Sequence, residues 1–518
     1  MKKNVRTLFS LFLFLVVATM HVQAQDEMVD KIVKEANKNS KLEEIAHELM
    51  DVVGPRLVGT PKMKNAHDWA VKKYDSWGIT AENQEWGTWR GWERGITHVD
   101  MVSPRVSSLH GRQLAWSPAT RKKGVTAEVM ILPEASDSKA FKNMLSQVKG
   151  KFVMISQHQP TGRPADNWEE WATEKSWKNM QEEIEETDSL WKQRIEKTGY
   201  SSRELPKVLE EAGAAGIITS NWSRGFGANK VFGAYTKETP SIDIALEDYG
   251  LLYRLAEHGS APELKVAAQS KDLGEMPTFN TIARIEGSEK PEEYIILSAH
   301  FDSWDGGTGA TDNGTGTMVM METMRILKKL YPNPKRTIIA GHWGSEEQGL
   351  NGSRAFVKDH PEIVANVQAV FNQDNGTGRV KYITGQGFLH AYDYIGRWLQ
   401  PVPQEIKGEI ETIFPGTPSG GGSDYASFVA ADAPAFSLTS LSWSYWNYTW
   451  HTNLDTYDKI VFDDVRNNVV LAAIMTYMAS EDPETTSREK AVLPINGRTG
   501  EQMNWPEAKD AERRGGLD

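Results

Sequence analysis

Residues 294–297, Tyr-Ile-Ile-Leu, form an apolar run, and from Thr315 the chain takes up a helical pattern. Between them lies a glycine-rich stretch, Ser298 to Thr317, that carries His300, Asp302 and Asp312. The same strand–loop–helix unit recurs downstream. Arg336–Trp343 reads as a buried strand before a helix that starts at Gly352, and Val367–Asn372 as a strand before the helix Ala391–Leu399. Apolar strands alternating with helices predict an α/β fold, a mostly parallel mixed sheet flanked by helices. Side chains that serve chemistry then collect at the carboxyl ends of the strands.

Those ends carry the ionisable residues. His300, Asp302 and Asp312 follow the first strand, Glu346 and Glu347 the second, and Asp374 the third. An aromatic loop, Trp443–Trp450, delivers His451. Singly, a strand-end acid is a helix cap or a surface charge. Gathered at one edge of a parallel sheet, these residues make a metal site. With no cysteine in the chain, any metal must be held by His, Asp and Glu. His342, inside a strand, reads as a packed histidine, and His360 and His390 have no matching partners.

The spacing His300-x-Asp302-Ser303-Trp304-Asp305-x-Gly307-x-Gly309-Ala310-x-Asp312 resembles the di-zinc exopeptidases of peptidase family M28. That family includes bacterial leucyl aminopeptidases and glutamate carboxypeptidases. The pattern is most similar to its plasma glutamate carboxypeptidase (carboxypeptidase Q) branch. The resemblance implies a zinc-dependent exopeptidase fold (phosphorylase/hydrolase-like) with an inserted protease-associated-like domain and two Zn²⁺ per chain. Asp312 would bridge the ions, His300 and Asp374 would complete one site, and Glu347 and His451 the other. Glu346 would be the general base on a water between the metals, and Asp302 a catalytic support that orients a ligand imidazole. The peptide bond Asp312–Asn313 would be cis. Tyr425, in a Gly-rich loop similar to one that borders the family's pocket, and Trp446 and Trp450 beside His451 are the substrate-binding candidates. The implied substrates are dipeptides or short peptides, and the implied assembly is a homodimer. Aminopeptidase action on longer peptides is the near rival, because it uses the same metal core. A non-catalytic receptor-like member of the fold and a single-zinc pyroglutamate-forming cyclase are the readings from other classes. Intact positions for both metals and the base argue against these two.

The rest of the chain sets compartment and organisation. Lys2, Lys3 and Arg6, the apolar run 8–18 and Val22-Gln23-Ala24 read as a cleavable export signal, residues 1–24. An exported chain without disulfides fits a bacterial periplasmic or extracellular protein with no membrane span after cleavage. A net charge of −12 argues against a nucleic-acid partner. The expected division is 25–103 as the first part of the catalytic domain, 104–275 as the insert, 276–482 as the catalytic domain with the metal site, and 483–518 as a loosely held polar tail. Residues 82–102 read as two strands around Gly91, 166–197 as a helical surface hairpin, and 461–480 as an amphipathic closing helix.

Overall fold

The computed structural model describes residues 25–516; the export signal expected over residues 1–24 lies outside them. Its centre is a mixed sheet. Strands β3 (Lys290–His300), β4 (Arg336–Trp343), β5 (Val367–Asn372) and β8 (Ala435–Ser440) run parallel in the order β8-β5-β3-β4. Strand β6 (Val380–Thr384) joins β8 antiparallel and carries β7 (Glu411–Ile413) at the edge. On the other side β2 (Glu263–Ile285) joins β4 antiparallel, and β1 (Thr80–Ser103) pairs with β2. Every residue of β4 and β5 is buried, as strands covered on both faces require.

Helices α1 (Pro61–Ser76), α3 (Thr315–Leu330) and α4 (Phe462–Glu481) cover this sheet. Thr60 caps α1: its hydroxyl accepts from the Met63 amide at 3.2 Å, and Pro61 takes the first helical position. Helix α4 is not the amphipathic helix its sequence pattern suggests. Side chains around most of its circumference, Val465, Val469, Leu471, Ile474 and Met475 among them, are buried. It is packed between α3 and other elements of the catalytic core, so little of it is left to face water.

Residues 80–103 form one strand rather than two. Its partner β2 is continuous opposite it, and irregularities at Glu85/Gly87, Gly91/Trp92, Arg94/Thr97 and Met101/Ser103 absorb the glycine that suggested a break. The β1–β2 ribbon links two sheets. Near residue 284 β2 pairs with β4; near residue 265 it pairs with Val125–Ile131 of the insert. From there the insert's sheet continues through Phe152–Met154, Gly216–Thr219, Ser241–Ile244 and Gly111–Gln113. Trp86, Trp89 and Trp92 of β1 are buried where the two sheets meet, with Leu57, Val58 and Trp116.

The helical stretch near 166–197 is a short helix, Ala165–Trp171, followed by α2 (Glu174–Thr198), with Trp168 stacked on Trp177 at 5.7 Å. The C-terminal stretch is held rather than loose. Arg514 and Gly515 pair with β1, the Glu512 amide donates to Asn351 at 2.8 Å, and the Trp505 indole donates to the Val429 carbonyl at 3.0 Å. Composition signals polarity but not the backbone bonds that an open strand edge offers to a polar segment.

Candidate active site

The ligand-bearing strand ends are tied to one another before any ligand is considered. The Trp343 indole donates to Ser298 Oγ at 2.8 Å, and Ser298 Oγ donates to Asn372 Oδ1 at 2.6 Å. Asn372 in turn donates to Ser423 Oγ at 3.0 Å. This buried chain fixes β4, β3 and β5 relative to each other two or three residues before His300, Glu346 and Asp374.

The loop after β3 is held from beneath by Arg56, which is fully buried. Its guanidinium donates to the carbonyls of Phe301 (2.6 Å), Thr308 (2.7 Å) and Gly309 (2.8 Å). Burial pushes its pKa down to about 10, against the pull of Asp455, Asp302, Asp312 and Glu347. Arg94 grips the outer part of the loop with a two-pronged bond to Asp305, at 2.6 and 2.7 Å. Gly309 has φ +62°, and a Cβ there would stand 2.3 Å from that of Ser303, so only glycine fits the turn into Asp312. The Asp312–Asn313 peptide bond is cis, as the resemblance implied. Asn313 donates to the Gln373 carbonyl at 2.9 Å, a bond that an aspartate in its place would not donate.

The five expected ligands come together as two groups that share one carboxylate: His300, Asp312 and Asp374, and Asp312, Glu347 and His451. His300 Nε2 stands 3.4 Å from Asp312 Oδ1 and 3.3 Å from Asp374 Oδ1. His451 Nε2 stands 3.3 Å from Asp312 Oδ2 and 2.8 Å from Glu347 Oε2. Two donors each about 2.0–2.1 Å from one tetrahedral ion are about 3.3 Å apart, so three of these four gaps match ligands around a cation. Asp312 Oδ2 and Glu347 Oε1 are buried without a hydrogen-bond partner. Nitrogen and oxygen donors with unpartnered carboxylate oxygens suit a divalent ion such as Zn²⁺.

The charge balance points the same way. Burial, with Asp312 and other carboxylates around it, holds the Glu347 carboxyl well above its ordinary range. Glu346 is likewise raised by burial, with Asp374, Asp424 and Glu347 adding to it against His300. Asp312 is lowered, because His300 and His451 outweigh its burial. His300 is raised by Asp374 and Glu346 despite its burial, whereas burial brings His451 down to about 4. So much buried negative charge is stable only with cations, or protons, among it.

Asp302 does a further job beside the one the resemblance implied. The nearest acceptor to His300 Nδ1 is the Asp302 backbone carbonyl at 3.0 Å; the carboxylate is 3.6 Å away. That carboxylate accepts instead from the amides of Glu346 (3.0 Å) and Glu347 (3.2 Å). Asp302 therefore fixes the turn that divides the two glutamates. Three non-glycine residues beside the site, Ser345 (φ 63°), Asn375 (φ 80°) and His451 (φ 59°), hold left-handed backbone, a strain retained only where the surroundings enforce it.

Several positioning residues had no chemical signal in the sequence. Asp455 accepts from the amides of Thr311 (2.7 Å) and Asp312 (3.0 Å), and burial pushes it up to about 7. The insert, whose sequence shows no motif for chemistry, reaches the His451 loop. The Val231 amide donates to the His451 carbonyl at 2.8 Å, and Lys230 and Thr452 form a β-bridge. The Asn229 amide donates to Asn453 Oδ1 at 2.7 Å, and Ser223 Oγ donates to the Asn447 carbonyl at 2.7 Å. An Asn or a Val in a distant loop carries no motif, so only the fold shows these contacts.

Of the substrate-binding candidates, Trp450 stacks on His451 with ring centroids 4.0 Å apart, and Trp446 lies outside it, edge-on at 5.2 Å and more than half exposed. Tyr425 opens the short helix Tyr425–Ala430 and feels the charge of Asp374. Tyr445, in the same aromatic loop, is buried with its hydroxyl beside Asp312. His342 is a packed histidine, bonded to the Tyr74 hydroxyl at 2.7 Å and brought down to about 3 by burial.

Residues 280–475 match the model of Peptidase family M28. Over 448 residues the chain is 26% identical to carboxypeptidase Q of Homo sapiens, covering 85% of each chain. A structure described as a peptidase M28 precursor from Shewanella amazonensis superposes with a TM-score of 0.65 at 23% identity, over 90% of this chain and 98% of that one. A zinc aminopeptidase from Bacillus subtilis superposes with a TM-score of 0.55 at 18% identity, over 87% of this chain and 97% of that one. At such identities the two structures speak for the fold.

Proposed function

Through the segment that holds the paired ligand groups, residues 280–475, this chain belongs to peptidase family M28, and we propose that it is an exported di-zinc exopeptidase acting on dipeptides or short peptides. One observation carries the reading: two three-residue ligand groups share Asp312, with Glu346 next in sequence to the ligand Glu347. Zinc bound there supplies a Lewis acid for the peptide carbonyl and lowers the pKa of water. The chain's own residues do the rest. Glu346, on the turn held by Asp302, takes the proton of the attacking water and passes it to the leaving amine. Asp302 keeps Glu346 and Glu347 pointing to different tasks, and Asp455 holds the backbone of Asp312. The wall of Trp450 and Phe232 against His451 shields the site from bulk water.

Export rests on the sequence of residues 1–24. Among the described residues no helix is long and apolar enough to cross a membrane. A homodimer is the assembly we infer from the likeness to the carboxypeptidase Q branch, and the mass in solution tests it.

The test is a Glu346→Gln variant of the zinc-loaded full chain beside the wild type. We expect about two zinc ions per chain in both and a fall in kcat of about 10²–10⁴-fold in the variant. Wild-type-like turnover by the variant, or activity that survives complete chelation, would sink the mechanism. N-blocked and C-amidated forms of one dipeptide separate carboxypeptidase-like from aminopeptidase action.

A further inference from the structure

The two glutamates proposed as base and ligand sit on one turn, Ser345-Glu346-Glu347-Gln348, between β4 and the helix Asn351–Asp359. They keep separate tasks only while that turn keeps one shape. Its backbone closes on itself: the amides of Gly349 and Leu350 donate to the Glu346 carbonyl at 2.7 and 2.9 Å, and that of Asn351 to the Ser345 carbonyl at 3.0 Å. The shape is costly, because Ser345 (φ 63°) and Leu350 (φ 59°) hold left-handed backbone without being glycine. Asp302 takes the amides of Glu346 and Glu347, which leaves the two ends of the turn to be held.

Asn351 holds them. Its buried side chain donates from Nδ2 to Ser345 Oγ and to the Gln348 carbonyl, both at 3.2 Å, and so spans the two glutamates. Its Oδ1 accepts from the Glu512 amide at 2.8 Å, across 161 positions of sequence. That bond fixes which way the side-chain amide points. A backbone N–H can only donate, so it must meet Oδ1, and Nδ2 is turned toward the Gln348 carbonyl, which can only accept. The exposed side chain of Glu512 plays no part in this; its neighbours place its backbone. Arg514 and Gly515 pair with β1 opposite Thr88 and Trp89, and a Cβ on Gly515 would stand 2.0 Å from the Trp89 ring. Arg513 donates to the Trp86 carbonyl at 3.0 Å and to Asp359 at 2.6 Å, which ties the segment both to β1 and to the helix that Asn351 opens.

We propose that Asn351 is a positioning residue for Glu346 and that the C-terminal segment 512–516 orients it. The proposal rests on the exopeptidase reading above and extends its site to residues beyond 280–475, the part that matches the family model. Asn351 reaches the base only through the residues on either side of the glutamates. Its loss should therefore lower kcat and leave KM largely as it is.

The experiment compares wild type, Asn351→Leu, Glu512→Pro, Glu512→Ala and the double variant Asn351→Leu/Glu512→Pro as full-length chains on one dipeptide. Leucine keeps the approximate volume of asparagine without its polar atoms, and proline at 512 removes the one N–H that meets Oδ1. At saturating zinc we expect kcat to fall about ten-fold in Asn351→Leu, and in the same direction in Glu512→Pro, with KM little changed. Glu512→Ala keeps the amide and should retain the turnover that proline loses. The two losses should not add in the double variant, since both act through one side chain. A chelator titration gives a second readout. Glu347 shares the turn, so one of the two zinc equivalents should weaken about ten-fold in Asn351→Leu while the other holds. Urea unfolding sets stability apart: an Asn351→Leu chain that unfolds more readily but turns over and binds zinc like wild type overturns the proposal. Losses that add, or a Glu512→Ala that fails like Glu512→Pro, overturn it too. A wild type that binds two zinc ions but cleaves no peptide defeats the exopeptidase reading alone, and the zinc titration of Asn351→Leu then decides this one.

Discussion

Asp302 shows how one buried carboxylate can serve two elements. Its backbone carbonyl holds the His300 ring, while both carboxylate oxygens hold the amides from which Glu346 and Glu347 diverge. Asp302→Ala should therefore disturb a ligand and the base together. We expect zinc affinity to fall about 10–100-fold, the usual cost of losing a ligand's support, with kcat also reduced when zinc is saturating. Competition with a chelator, beside kinetics at saturating zinc, reads the two effects separately. A variant with wild-type zinc affinity and turnover would show that the turn holds itself. The candidate ligands and base were legible in sequence because metal chemistry restricts residue type and because all but His451, which an aromatic loop delivers, follow a strand of visible apolar character. The direction of the Asp302 side chain was not, since an offset of two residues fixes proximity but not which atom faces the ring. Arg56 was hidden for a related reason. It lies in a stretch that reads as a loop from Gly54, Pro55 and Gly59, and its partners are backbone carbonyls some 250 positions away.

At the scale of elements, the segment Ser223–Val231 links the insert to the metal centre, and Asp243 stands behind it. Asp243 Oδ1 accepts from Asn229 Nδ2 at 3.1 Å, and its Oδ2 accepts from the Asn221 amide at 2.9 Å. Burial pushes its pKa from 3.8 up to about 7, more than these bonds pull it down. A carboxyl that binds its proton more tightly in the folded chain stabilises the fold fully below its unfolded pKa. That contribution is lost as pH rises through the folded value. Between pH 4 and 7 the loss from a shift of this size is about 3 kcal/mol. Asp243→Asn cannot ionise, so the difference in stability between variant and wild type should move in the variant's favour across that window. Metal-free unfolding in urea at several pH values measures it. The slope with pH, not the offset at any one pH, is the readout, and parallel profiles would place the Asp243 pKa near its ordinary value. None of this could be read from residues 104–275, where the sequence shows short apolar strands and no chemical motif. The clamp mixes a backbone bond from Val231 with the side chains of Ser223, Asn229, Asp243 and Asn453, none of which forms a motif in sequence.

At the scale of the molecule, the catalytic core and the insert are separately packed yet joined through one ribbon. The largest buried cluster draws on residues from Val29 to Ala479 but on none between Ile79 and Ile282. The insert has clusters of its own around Phe152 and Phe141. The core should therefore fold without the insert, and the ribbon offers a place to cut. In β1 and β2, Arg90 lies opposite Glu275 and Gly91 opposite Gly274. Deleting residues 92–273 would leave Gly91-Gly274 as a two-residue turn, the dipeptide type that tight hairpins favour. The shortened chain should unfold cooperatively, as a domain with its own core does. It would lack the grip of Arg94 on Asp305, and also the bonds from Asn229, Val231 and Ser223, so nothing from the insert would hold His451 in its left-handed backbone. The site shared by Glu347 and His451 should then weaken more than the one that uses His300 and Asp374. In a zinc titration against a chelator, we expect two equivalents of similar affinity in the full chain. In the shortened chain, one equivalent should weaken by at least about ten-fold, the scale on which loss of ligand support acts. If both equivalents kept their affinity, the loop Trp443–Trp450 would be sufficient to place His451 without the insert.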